Sequence, residues 1–164
     1  MKMESLQELY VQGLKDLYSA EKQLVKALPK MAKAATSNEL RKGFQDHLKE
    51  TEGQVQRLEE IFAELGASPR GKKCVGMEGL IEEGKELMEE DLDPEVLDAG
   101  LIAAAQHVEH YEIAGYGCAR TYAELLGYED AAKLLQESLD EEKAADEKLS
   151  GLAESINVEA SKAA

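Results

Sequence analysis

The stretch IAAAQHVEHYEIAGY, residues 102–116, is where the chain shows its organisation. Ile102, Ala105, Glu109, Ile113 and Tyr116 follow one another at steps of three and four, the spacing of one face of an α-helix. That face is apolar except at its centre, where Glu109 stands, and Glu112 lies on its flank about one turn later. A carboxylate moved from water into an apolar interior is costly unless it is paired, protonated or bound to a cation. A long helix whose inward face is built around acids therefore predicts an interior that gathers charge.

Working outward, Asp93 and Pro94 read as N-cap and first helical residue, and Gly127 as the residue that ends the helix near Leu126. Three more long segments have the same period. The first opens at Ser5, which has capping-box spacing to Glu8. Its stripe is Leu6, Leu9, Leu14, Leu17, Glu21, Leu24, Leu28 and Met31, and Pro29 is expected to kink or tighten its late part. After a turn at Thr36, Ser37 and Asn38, the second covers residues 39–65 with the stripe Leu40, Phe44, Leu48, Thr51, Val55, Leu58, Phe62 and Leu65, closed by Gly66. The last covers residues 129–155 with the stripe Ala131, Leu135, Leu139, Glu142, Asp146, Leu149 and Ala153. Between the second and third long helices lie a loop over residues 67–73 and a shorter helix over residues 77–90. The order is hairpin, crossover, hairpin. About 28 crossover residues reach the length of a bundle of roughly 35 Å, and one long connection distinguishes a ferritin-like four-helix bundle from a simple up-and-down one. The predicted organisation is all-α, a single domain over residues 1–158 with a frayed tail at 159–164.

The charge balance narrows the partners. Thirty-four acids against 19 Lys and Arg give a net charge of −15. This disfavours nucleic acid, whose binding depends on basic side chains neutralising phosphate, and anionic membrane surfaces. No apolar run is long enough for a membrane span, no basic start precedes an apolar segment as in a signal peptide, and a cytoplasmic location is the expectation. The two cysteines, Cys74 and Cys118, form no CxxC and cannot make a zinc ribbon or a disulfide framework.

Acids stand in mid-stripe on three helices: Glu21 on the first, Glu109 on the third long helix, and Glu142 with Asp146 one turn on from it in the last. On the second helix His47, Glu50 and Gln54 share one edge of the stripe. Residues equidistant from a hairpin turn lie at one height. Glu21 and Glu50 stand 29 positions apart about Thr36, and Glu112 and Glu142 stand 30 apart about Gly127, which puts carboxylates of both hairpins at mid-height. The nearby bases, Arg120 and Lys143, are too few to neutralise them, whereas hard cations prefer carboxylate oxygen, with imidazole added for iron or manganese. Plainer readings stand beside this one. Most acids here form a solvated face. Asp146 with Lys143, or Glu112 with Tyr116, can be ordinary contacts within a helix. His47 alone would be a core or edge histidine, His107 reads as exposed, and His110 as a neighbour of the site or a surface residue. Cys118, Met77 and Met88 read as packing residues, and Cys74 as a loop thiol open to reaction.

The runs YSAEKQ (18–23), HLKETEGQ (47–54), KCVGMEGLIEE (73–83), VEHYEIA (108–114) and LDEEK (139–143) with Asp146 resemble the bacterial YciF-type family, over nearly the whole chain from Leu6 to Leu152. The resemblance implies a ferritin-like, stress-associated, homodimeric bundle with a dinuclear metal site. Its ligands, carried over by position, are Glu21, Glu50, Glu109, Glu112 and Glu142, with His47, Gln54 and Asp146 near them. The sequence departs from the Glu-x-x-His pattern of ferritin-like metal sites on two helices: the second helix has His47-x-x-Glu50, and the last has no histidine. An oxygen-rich site for two ions is expected, iron first and manganese second.

Three functions compete. A redox metalloprotein would act on oxygen, peroxide or iron, with Tyr18, Tyr111 or Tyr116 tuning it. A non-enzymatic structural or interaction protein would hold its acids in networks with Arg120, Gln54 and Thr51. An iron-storage cage would require a multisubunit shell.

Overall fold

The computed structural model describes residues 4–163; residues 1–3 and Ala164, the outer ends of the expected domain and tail, lie outside it. Five helices follow in order: α1 Leu6–Ala34, α2 Asn38–Glu64, α3 Val75–Glu89, α4 Pro94–Leu125 and α5 Glu129–Ala160. No strand occurs among the described residues. α1 packs along α2 and α4 along α5, the pairs meet through α1 with α4 and α2 with α5, and α3 lies on α4 and α1. This is the predicted four-helix bundle, two antiparallel hairpins joined by a long crossover that carries a short extra helix.

The helix ends form where local chemistry predicts. Ser5 and Glu8 make both bonds of the capping box, and the Ser37 hydroxyl accepts from the Leu40 N–H. Gly66 and Gly127 leave α2 and α4 at φ of +62° and +79°, a conformation that Gly adopts without the Cβ penalty. α1 continues through Pro29 to Ala34. α5 is longer than its stripe predicts, passing Ser155 and Val158 to reach Ala160.

One position in the α1 stripe is corrected. Leu9 is 40% exposed, and Tyr10 is fully buried in its place. Counting back four from Leu14 gives Tyr10, so Leu9 lies about 100° off the inward line.

The core has two apolar parts. One gathers Leu24, Leu28, Leu40, Phe44, Leu101, Ile102 and Leu149. The other gathers Tyr10, Leu14, Leu17, Leu58, Phe62, Tyr116, Leu135 and Leu139. On each long helix the change from one part to the other falls at a buried polar residue: Glu21 between Leu17 and Leu24, His47 and Thr51 between Phe44 and Leu58, Glu109 and Glu112 before Tyr116, and Glu142 between Leu139 and Leu149. The bundle thus has a polar layer between two apolar ends.

Candidate metal centre

Each helix of the bundle aims a polar side chain into this layer. On α2 the inward line is His47, Thr51 and Gln54, at steps of four and three, all buried. The Thr51 hydroxyl donates to the His47 carbonyl at 2.9 Å and so stays within its own helix. On α4 Glu109 and Glu112 both point inward, and Ile113, expected on the stripe, is only partly buried. α1 contributes Glu21 and α5 contributes Glu142, both without accessible surface.

One ligand atom from each of His47, Glu109, Glu112 and Glu142 lies within 4.8 Å of the other three. His47 Nε2 is 3.1 Å from Glu109 Oε1 and 3.9 Å from Glu142 Oε2. Glu21 sits against this group, and its Oε1 accepts a short hydrogen bond from the Tyr116 hydroxyl. Among the described residues, six buried carboxylate oxygens have no hydrogen-bond donor: Glu21 Oε2, Glu109 Oε2, both of Glu112 and both of Glu142. Buried polar atoms are ordinarily paired, so this many in one layer marks it as a candidate metal site.

The electrostatics agree. Burial, reinforced by the charge of Glu142, pushes the Glu21 carboxyl up to about 8. Burial raises Glu109 well above the ordinary carboxylate range, with Glu142 and Glu21 adding to it. Burial, Glu21 and Glu142 do the same to Glu112. Tyr116 is held in its protonated form by burial and by Glu21 and Glu112. For His47, burial opposes the imidazolium, but Glu50, Glu142 and Glu21 outweigh it and raise its pKa. Without a cation, protons are what make the layer tolerable.

The remaining sequence candidates lie around this core. Glu50 is at the expected height but on the outer face. Its side chain is 45% exposed, and its Oε2 is 3.3 Å from His47 Nδ1. That is the place of a carboxylate that orients a ligating imidazole through its second nitrogen. Gln54 is fully buried, and its amide donates to Glu141 Oε2 at 3.1 Å. Asp146 takes Gln106 and His110, at 3.2 Å each, on the outer side of α4 and α5. Arg120 pairs with Glu124 on its own helix and does not reach the acids.

Some participants carried no signal of their own. Arg57 clamps Glu141 at 2.9 and 2.6 Å and touches Ser138 at 3.2 Å, joining α2 to α5 beside Gln54. Cys74 is not an open loop thiol. It is buried at the N-cap of α3, its N–H donates to Ser19 Oγ at 2.9 Å, and its Sγ lies 3.0 Å from the Tyr111 hydroxyl.

The donor set fits a hard or borderline cation: several carboxylates and one imidazole suit iron and manganese better than soft metals. Fold and site together define a helical-bundle protein with a buried carboxylate and histidine cluster that can hold metal. The chain belongs to the DUF892 family, a domain of unknown function whose model matches residues 5–162. It is 51% identical to protein YciF of Escherichia coli K12 over 154 residues, 93% of each chain. The crystal structure of that E. coli stress protein matches with a TM-score of 0.91 at 50% identity, covering 94% of this chain and 98% of that one. YcfI of Rhodopseudomonas palustris matches with a TM-score of 0.88 at 46% identity, covering 91% and 95%. No helix among the described residues is long and apolar enough to cross a membrane.

Proposed function

We propose that the polar layer holds a pair of metal ions, iron first and manganese second, and that the protein acts in stress response through oxygen, peroxide or iron chemistry. The observation that carries this reading is the convergence of four ligand atoms from three helices within 4.8 Å, beside carboxylate oxygens of Glu21, Glu109, Glu112 and Glu142 that no hydrogen-bond donor satisfies. Glu109, Glu112, Glu142 and His47 Nε2 are the ligands we assign, and Glu21 closes the set from α1. When bound, such a pair supplies one-electron chemistry. The chain's own residues do the rest. Glu50 orients His47, Tyr116 fixes one oxygen of Glu21, and the two apolar ends exclude water above and below. The partner we assign is a second copy of the chain, with a cytoplasmic setting.

The test is anaerobic loading of metal-free protein with ferrous iron, followed by oxygen. Calorimetry should show saturable binding of two ions, and oxygen should produce a new charge-transfer absorption. Absence of both would remove this reading.

A second reading has its own observation. His47 lies between Glu109 and Glu142 with its pKa raised, so a proton-neutralised network in a structural or interaction protein also meets the geometry. Under it, Glu21→Gln and Glu142→Gln would fold normally and leave cellular stress tolerance unchanged.

A further inference from the structure

The polar layer comes nearest to solvent on one side. Glu21, Glu112 and Glu142 have no accessible surface, but His47 keeps 6% and Glu109 keeps 2%. Those two residues line a cavity of about 110 Å³ between α2 and α5. Its lining includes three small residues, Gly43 on α2 and Ala144 and Ala145 on α5. At its rim Asp46 lies between Lys42 at 2.6 Å and Lys148 at 3.6 Å. A Cβ built on Gly43 meets nothing closer than Leu152 Cδ1 at 3.8 Å, so the missing side chain here is space left to the cavity and no close approach of helices demands it.

We propose that this cavity is the passage through which the centre exchanges with solvent, and that Gly43 keeps it open. The proposal rests on the reading of the layer as a metal centre. Size sets what passes. Pockets for organic ligands enclose roughly 300–1,000 Å³, and a cavity of about 110 Å³ holds only a few waters. The passage admits metal cations, dioxygen and hydrogen peroxide and excludes organic substrates. Glu50, which also lines it, offers a half-exposed carboxylate between the rim and His47.

The test follows Co²⁺ entering the metal-free protein in stopped flow by its visible absorption, release to excess chelator, and affinity by equilibrium titration. Plugging a passage raises the barrier from both sides and leaves the end states alone. In Gly43→Leu, uptake and release should both slow by about tenfold, a barrier change of about 1.4 kcal/mol, with the dissociation constant unchanged. Gly43→Ala, whose added methyl group has room, should stay near wild type. If Gly43→Leu does not fold, Ala145→Leu narrows the passage from the other wall and carries the same expectation. Wild-type uptake rates in a folded Leu variant would overturn the passage while leaving the metal reading intact, as would a change in affinity without matched changes in both rates. Wild-type protein that takes up no Co²⁺ would overturn the metal reading and this proposal with it.

Discussion

Glu112 shows how one side chain can work against the fold that holds it. It has no accessible surface, and its oxygens meet no donor side chain, only the neighbouring acid Glu21. Its burial and the neighbouring Glu21 and Glu142 press it toward the protonated form. Gln has the same shape and cannot ionise. Metal-free Glu112→Gln at pH 7.5 should therefore be more stable than wild type by about 1–3 kcal/mol, read from thermal or urea unfolding, while its affinity for added metal falls in calorimetry. A variant less stable than wild type would mean that the carboxylate is a structural asset. This opposition between stability and function is common at built sites. Glu21, Glu109 and Glu142 were legible from the sequence because an acid in mid-stripe breaks a strong pattern. The rank of His47 against Glu50 was not legible. Both sit on one edge of the α2 stripe, and three residues along a helix leave only about 60° of rotation between the buried imidazole and the half-exposed carboxylate.

The turn between α1 and α2 depends on a residue far along the chain. Asp98, buried in the first turns of α4, accepts from the Thr36 N–H at 2.8 Å, the Thr36 hydroxyl at 2.6 Å and the Ser37 N–H at 2.8 Å. Asp98→Ala would strip three donors of an anionic acceptor, and unpaired buried groups cost about 1–3 kcal/mol each. Partial access of water to the turn should bring the total to about 3 kcal/mol, read as a lower urea midpoint with an unchanged slope. An effect below about 0.5 kcal/mol, the ordinary surface range, would show that the turn stands without it. The helices themselves were legible from caps and periodicity because those signals are local. Asp98 was not, because its partners stand some 60 positions away and nothing in its own helix marks it. Leu9 was misplaced for a related reason: an amphipathic stripe fixes a helix's inward line only as well as its outermost turn, where Tyr10 competes for the same face.

For the molecule as a whole, the acids of the layer set a dependence on pH. The Glu21 carboxyl titrates at about 8 in the folded protein against 4.5 ordinarily. The folded state thus binds more protons than the unfolded state between those values, and stability falls as pH rises. Metal-free protein should be most stable near pH 5, within the reach of this group, and should lose stability progressively up to pH 8. The melting temperature against pH should flatten over that window in Glu21→Gln. A wild-type curve that rises from pH 5 to 8 would contradict the placement of these acids. Added metal should raise the melting temperature most at the alkaline end, because a ligand that binds only the folded state stabilises it and here replaces the lost protons.

The separation of the two apolar ends by the layer of acids has a mechanical side. A rod gripped firmly at both ends and weakly at its middle can come apart one end at a time. Whether this bundle does so depends on what fills the middle. Protons there are exchanged with the solvent, whereas a shared cation ties the facing helices together. Native-state hydrogen exchange should find the amides around Leu14 and Leu40, one in each end, opening with unequal free energies in metal-free protein and with a common one after loading. The waist would then act as the coupling that makes two half-bundles unfold as one.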